Sequence, residues 1–325
     1  MICTEREGIN NNTREGEFMS VNSKEEERSS SSKRVQPEQP MQHERESHSS
    51  EQHRHHHPHS MQQHTTQSST AANSAAATPA VTNYNVNIQF DPVIPQAGES
   101  AKLSLVVTEQ KVGEPINQFD IIHDKLMHLV IVDRSDLSYF AHIHPQLDEE
   151  TGIFTITHNF PKAGKYKLWS DTKPKGGVQI LAAHIFDVEG YPMHIPHDIP
   201  VDNTLVKGIV MEGQIYRINL KFEPRNPVPR QTVKMTFEVR DADGKDINNL
   251  EPLMAAGGHC VIITADTREF LHVHPTEEVE SNWRGGPAVS FLANFTKPGL
   301  YKAWGQFQHE GKILTVDFTF RVSFP

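Results

Sequence analysis

Residues 123–145 read HDKLMHLVIVDRSDLSYFAHIHP, and residues 254–275 read MAAGGHCVIITADTREFLHVHP. In each stretch a histidine enters an apolar run, a short polar break follows, and His-x-His-Pro closes the phrase. Short apolar runs bounded by turn residues predict strands, and the breaks DRSDLS and TADTRE predict hairpin turns. If the first hairpin turns near Ser135 and Asp136, His128 falls opposite His142 or His144. Directly opposed residues share a face with Cβ atoms about 4.5–5.5 Å apart, and residues two apart on a strand point the same way. His128, His142 and His144 therefore gather on one patch, and His259, His272 and His274 on another. The second stretch has one residue fewer between its first two histidines. A loss inside a strand would turn every downstream side chain to the other face, so the missing residue is expected in the turn. Pro145 and Pro275 are expected to end the His-x-His strands, because proline cannot donate to the ladder.

The repeat extends on both sides of these hairpins. FDPVIPQAGESAKLSLVV at 90–107 corresponds to FEPRNPVPRQTVKMTFEV at 222–239, and FPKAGKYKLW at 160–169 to FTKPGLYKAW at 295–304. The offset of about 130 residues exceeds any solenoid period and marks a domain duplication. From Tyr84 onward, alternating segments such as YNVNIQF are punctuated by turns at short intervals, which predicts an all-β sandwich or barrel. The expected organisation is a tail over 1–80, a first β-domain over 81–190, a linker over 191–205 broken by three prolines, and a second β-domain over 206–325. The tail lacks apolar periodicity, so it cannot offset its ordering entropy and is expected to be disordered. It carries His43, His48, His53, His55, His56, His57, His59 and His64, a composition suited to loose metal capture.

Bulk properties exclude several classes. A formal charge of −10 argues against nucleic acid as a main partner. No stretch approaches the roughly 20 apolar residues of a membrane span. The N-terminus MICTEREGINNNTREGEF has no apolar core of the secretory kind, which predicts a cytoplasmic protein. Two cysteines, Cys3 in the tail and Cys260 in a strand, do not make a disulfide framework. There is no G-x-S-x-G elbow, phosphate-cradling glycine loop or HExxH helix.

Imidazole is the commonest protein metal ligand near neutral pH, so the two triplets predict two metal-handling modules. Three imidazoles suit zinc, copper or nickel, and sulfur donors would tilt a site toward Cu(I). Met127 adjoins His128 but is expected in the core; His123 and Met254 occupy equivalent repeat positions and are conceivable fourth ligands. Cys260 matches Leu129, should face away from His259, and reads as a small core hydrophobe rather than a blue-copper ligand. His158 and His184 read as structural, and Trp169 and Trp304 as packing residues. His309 is expected in a hairpin turn. His194 and His197, three apart among prolines, lack the helix they would need to chelate together.

At the two hairpins the chain resembles YtkA-like domains and related bacterial HxHP proteins, over roughly residues 81–325. That resemblance implies two tandem immunoglobulin-like or cupredoxin-like β-sandwiches, metal handling with copper favoured over zinc, and His128, His142, His144, His259, His272 and His274 as ligands. It implies a metal-trafficking protein as a partner, and relatives that are usually extracytoplasmic. The function expected is non-enzymatic metal buffering, resistance or delivery. A cupin-like metalloenzyme, with Glu149 and Glu278 joining the His-x-His pairs, is the enzymatic alternative. A metal-free immunoglobulin-like interaction module is a third.

Overall fold

In the computed structural model, residues 84–110 and 113–324 are described; the tail and its histidine cluster lie outside them. The described residues form sixteen strands and no helix. The first sandwich contains β1 (Tyr84–Asp91), β2 (Ser100–Glu109), β3 (Met127–Asp133), β4 (Phe140–Ile143), β5 (Gln146–Asp148), β6 (Ile153–Asn159), β7 (Gly164–Thr172) and β8 (Ile180–Val188). The second contains β9 (Val206–Met211), β10 (Gln214–Glu223), β11 (Thr232–Asp241), β12 (His259–Thr264), β13 (Phe270–Val273), β14 (Ala288–Asn294), β15 (Gly299–His309) and β16 (Lys312–Val322).

Each sandwich pairs two antiparallel four-stranded sheets. In the first these run β1-β2-β6-β5 and β4-β3-β7-β8, the strand order of an immunoglobulin-like fold. The second repeats it as β14-β11-β10-β9 and β13-β12-β15-β16, with β9 added beside β10 and, among the described residues, no counterpart of β5. A tyrosine corner marks both copies: the Tyr166 hydroxyl donates to the Lys162 carbonyl and the Tyr301 hydroxyl to the Lys297 carbonyl, each at 2.8 Å.

The strands differ in how they are covered. β2 and β11 alternate buried and less buried residues, as half-buried strands do. β3 and β12 are buried at every position. Their inner faces fill the two sandwich cores, Leu129 and Ile131 in one and Cys260 and Ile262 in the other. Their outer faces meet each other. Val130, Val132, Leu137 and Trp169 of the first sandwich pack with Val261, Ile263, Phe270 and Trp304 of the second in a separate core. Phe140 stacks on Trp304 with centroids 4.8 Å apart, and Trp169 stacks on Phe270 at 5.1 Å. Both sandwiches lie within one compact unit.

This contact is reciprocal. Phe140 and Phe270 are equivalent by repeat, as are Trp169 and Trp304, so each copy offers the other the same pair of rings. Lys167 donates to the Thr267 carbonyl and its equivalent Lys302 to the Leu137 carbonyl. Leu137 and Thr267 both hold a left-handed φ of 56° in the hairpin turn, an uncommon conformation for non-glycine residues. The two halves thus meet as an isologous pair within one chain.

Candidate metal centre

The hairpin registers place the histidines. Val130 pairs with His142 across β3–β4, and Val261 with His272 across β12–β13. The pairing is equivalent in both copies, so the missing residue of the second copy falls in the turn. His128 and His142 point to the outer face of the first sandwich and His259 and His272 to that of the second. Because those faces meet, the two triplets do not form two separate modules. They converge in one cluster at the interface.

Backbone geometry fixes the orientation of the two strand-entry histidines. Ile122 and Lys125 exchange backbone hydrogen bonds around His123 and Asp124, whose φ values are 47° and 61°. Leu253 and Ala256 do the same around Met254 and Ala255, at 50° and 57°. Two consecutive left-handed residues make a type I′ turn. Each turn aims a carbonyl at the histidine that follows: His128 Nε2 donates to Ile122 O at 2.8 Å, and His259 Nε2 to Leu253 O at 3.1 Å. The partner sandwich orients the next histidine. His142 Nδ1 donates to Gln306 Oε1 at 2.8 Å, and His272 Nδ1 lies 3.4 Å from Asp171 Oδ2. Asp171 and Gln306 are themselves equivalent across the repeat.

These partners assign the tautomers. A carbonyl or carboxylate oxygen accepts a proton from one ring nitrogen, so the other nitrogen of each neutral ring carries a lone pair. Those lone-pair nitrogens face each other. His128 Nδ1 is 3.1 Å from His142 Nε2, and His259 Nδ1 is 3.4 Å from His272 Nε2. His144 Nε2 lies at hydrogen-bond distance from the same His128 Nδ1, 3.1 Å away. His274 Nε2 is buried with no hydrogen-bond partner. The tightest convergence crosses the interface: ligand nitrogens of His128, His142 and His272 all lie within 4.8 Å of one another.

Burial keeps these rings neutral. It pulls His128 and His274 down to about 4 and His144 to about 3, and it holds His142, His259 and His272 below the ordinary imidazole range. Neighbouring imidazoles, which would repel a second positive charge, push all six in the same direction, while the Gln306 hydrogen bond and the Asp171 carboxylate oppose at His142. Burial raises Asp171, against the opposing hydrogen bond from Gln179 at 2.7 Å.

Other residues fall outside or at the edge of the cluster. His123 lies against it, its ring 3.8 Å from that of His274. Its repeat equivalent Met254 instead lines an open pocket with Asp124, Glu251 and Arg284. Met127 and Cys260 lie in the sandwich cores, and burial pushes the Cys260 thiol up. Glu149 and Glu278 are exposed. His158 bonds the Tyr139 hydroxyl at 2.7 Å. His309 is not a turn residue: it closes β15, buried, between the Tyr216 hydroxyl and Asn249. Trp169 and Trp304 pack as expected of buried aromatics, but between the sandwiches rather than within them.

Sequence reasoning missed Asp171 and Gln306, which sit in KLWSDT and KAWGQF without any motif of their own. The signal for the shared interface was present in the apolar runs. MHLVIV and HCVIIT do not alternate, and an unbroken apolar strand is one covered on both faces.

Among solved structures, the chain is similar over 75% of its length to 65% of the FdeC adhesin of Escherichia coli, at 13% identity and a TM-score of 0.22. It is similar over 77% to 15% of a Salmonella alpha-2-macroglobulin, at 13% identity and a TM-score of 0.24. A red sea bream transglutaminase matches 76% of the chain with 32% of its own, at 9% identity and a TM-score of 0.22. The chain therefore spans less than two thirds of each of these structures. No curated protein matches. The family model described as a domain of unknown function, DUF8832, matches residues 79–190 and again 210–323, so the chain belongs to that family and carries its domain twice.

Proposed function

We propose that the protein binds a divalent transition-metal ion, copper or zinc, at a single centre shared by its two sandwiches, and acts as a non-enzymatic buffer or carrier of that ion. The observation that carries this reading is the pairing of lone pairs. His128 Nδ1 and His142 Nε2 face each other at 3.1 Å, and His259 Nδ1 and His272 Nε2 at 3.4 Å, with the ring protons already committed elsewhere. Two lone pairs at hydrogen-bond distance repel unless a cation lies between them. Metal–nitrogen bonds of about 2.0–2.1 Å in a tetrahedral site give ligand–ligand edges of about 3.3 Å, which matches both spacings.

The donor set favours divalent ions. It consists of imidazoles, oriented by carbonyls, an amide and one carboxylate, and such outer partners fix the tautomer and tune basicity. Of the sulfur side chains that would favour Cu(I), Met127 and Cys260 lie in the cores and Met254 lines an open pocket. Delivery to a trafficking partner belongs to the same proposal. The exposed positions of Glu149 and Glu278 weigh against the cupin-like alternative.

The test is a titration of the full-length protein with Cu(II) and Zn(II) under glycine competition, which suppresses weak capture by the tail. The wild type is compared with a variant carrying His128→Gln, His142→Gln and His272→Gln. Loss of the tight equivalent in the variant is expected. Tight binding that survives all three changes, or none in the wild type, would sink the reading.

A further inference from the structure

A second group of ligand-type side chains lies away from the interface, where the linker returns to the first sandwich. Asp133 ends β3, Asp136 lies in the following turn, and His194 comes from the linker; one ligand atom of each lies within 4.8 Å of the others. All three side chains are at most 5% exposed. The His194 Nε2 nitrogen is 2.9 Å from Asp136 Oδ2 and 3.7 Å from Asp133 Oδ1.

The hydrogen bonds here leave one atom over. Asp133 Oδ1 accepts from the Ser135 and Asp136 amides at 2.7 and 3.3 Å and from the Ser135 hydroxyl. Asp136 Oδ1 accepts from the Ser138 amide at 2.9 Å, and its Oδ2 accepts from the His197 amide at 3.0 Å and is hydrogen-bonded to His194 Nε2 at 2.9 Å. Asp133 Oδ2 is buried and has no partner. It borders a gap left by Gly164: a Cβ there would sit 3.5 Å from Asp133 Oδ2 and 3.4 Å from the His194 Cβ. The unpartnered oxygen and the Cβ of the linker histidine thus border the same space, while the His194 ring nitrogen lies against Asp136 Oδ2 and Asp133 Oδ1.

An unsatisfied carboxylate oxygen in the interior carries a large desolvation cost. Two buried carboxylates against one imidazole also leave net negative charge in the pocket. The nearby Lys165 ammonium does not supply the balance, since it pairs with Asp187 at 2.8 Å on the surface. A divalent cation would satisfy both demands. One ligand atom from each of the three side chains lies within 4.8 Å of the others, close enough for a single ion to reach all three.

We infer that Asp133, Asp136 and His194 form a second divalent-cation site, independent of the interface centre, that fastens the linker to the first sandwich. Two carboxylates and one imidazole make a harder donor set than the histidine cluster, suited to Mn(II) or Zn(II) with water completing the shell. The site belongs to the first copy alone. In the second copy Thr264 stands where Asp133 is, and its hydroxyl donates to Asp266 instead. The linker segment is already laid beside the pocket: the Ala163 amide donates to Pro192 O at 2.8 Å and the His194 amide to Ala163 O at 2.7 Å.

The experiment is a titration of the full-length protein with Mn(II), followed by amide NMR. The amides of Ser135, Asp136, Ser138 and His197, which donate to the two carboxylates, report on this pocket. They are expected to broaden at low Mn(II), to recover on adding Zn(II), and to need at least about tenfold more Mn(II) in Asp133→Asn. That substitution keeps the side-chain shape, and a second variant, His194→Gln, checks the linker's share. Absence of broadening in the wild type, or broadening unchanged by Asp133→Asn, would overturn the site and leave a hydrogen-bonded clip. Neither result bears on the interface centre, whose glycine-resistant equivalent is measured separately.

Discussion

At the residue scale, the decisive property of the six interface histidines is that burial holds each of them neutral. Burial costs a charged ring its solvation, so the folded state binds protons less readily than the unfolded chain, whose imidazoles titrate near 6.5. Where the unfolded state binds more protons, unfolding free energy rises with pH. For the metal-free protein this stability is fully present above about pH 6.5. It falls as acid approaches the folded values of about 4 for His128 and His274 and about 3 for His144. The melting temperature of chelator-treated protein should therefore be level above pH 7 and drop steeply between 6.5 and 4. A variant with His128, His144 and His274 replaced by glutamine should show a shallower fall. A melting temperature that rises on acidification would mean that the folded centre welcomes protons, contrary to its burial.

At the scale of elements, the hairpins were the legible part of the chain. Strand, turn and His-x-His-Pro spacing set the faces of all six histidines, because the side-chain period of a strand leaves only two choices. The duplication was legible for a similar reason, since the proline-bearing break after Phe90 and Phe222 and the FPKAGKYKLW-type corner recur with little change. What stood outside reach was the contact between sandwiches. It depends on which two sheet faces meet, and local periodicity reports only that a face is covered. Asp171 and Gln306 were lost with it, because their partners come from the other copy. The edge strand β9 was also unforeseen; its segment VKGIVM shows only intermediate and exposed positions and carries no strong apolar signal. The hairpin reading has a direct consequence. One residue added in the second turn, between Ala265 and Asp266, restores the length of the first hairpin and should leave metal binding intact. One residue added between Phe270 and Leu271 turns His272 and His274 toward the sandwich core and should abolish it. Equal effects of the two insertions, read by the same titration, would contradict the assigned register.

At the scale of the whole molecule, the aromatic stacks and the metal centre share one interface, so packing and ligand geometry should respond together. Trp304→Ala removes the ring stacked on Phe140, two residues from His142, and should cost about 3–5 kcal/mol by urea unfolding. Trp169→Ala, its counterpart, should cost a similar amount, and both should loosen metal affinity without touching a ligand. A large loss of stability with unchanged affinity would show that the centre does not depend on the docking of the two halves. The reciprocity of that docking has a further consequence. A site assembled from two identical subunits comes apart on dilution, and every change in one half appears in the other. Here the covalent connection replaces the second-order encounter, so occupancy should depend on free ion and not on protein concentration. It also frees the halves from identity: a carboxylate can stand at 171 and an amide at 306, a histidine at 123 and a methionine at 254. A two-fold centre can in this way become a polar one, with one side that holds its ion more firmly than the other.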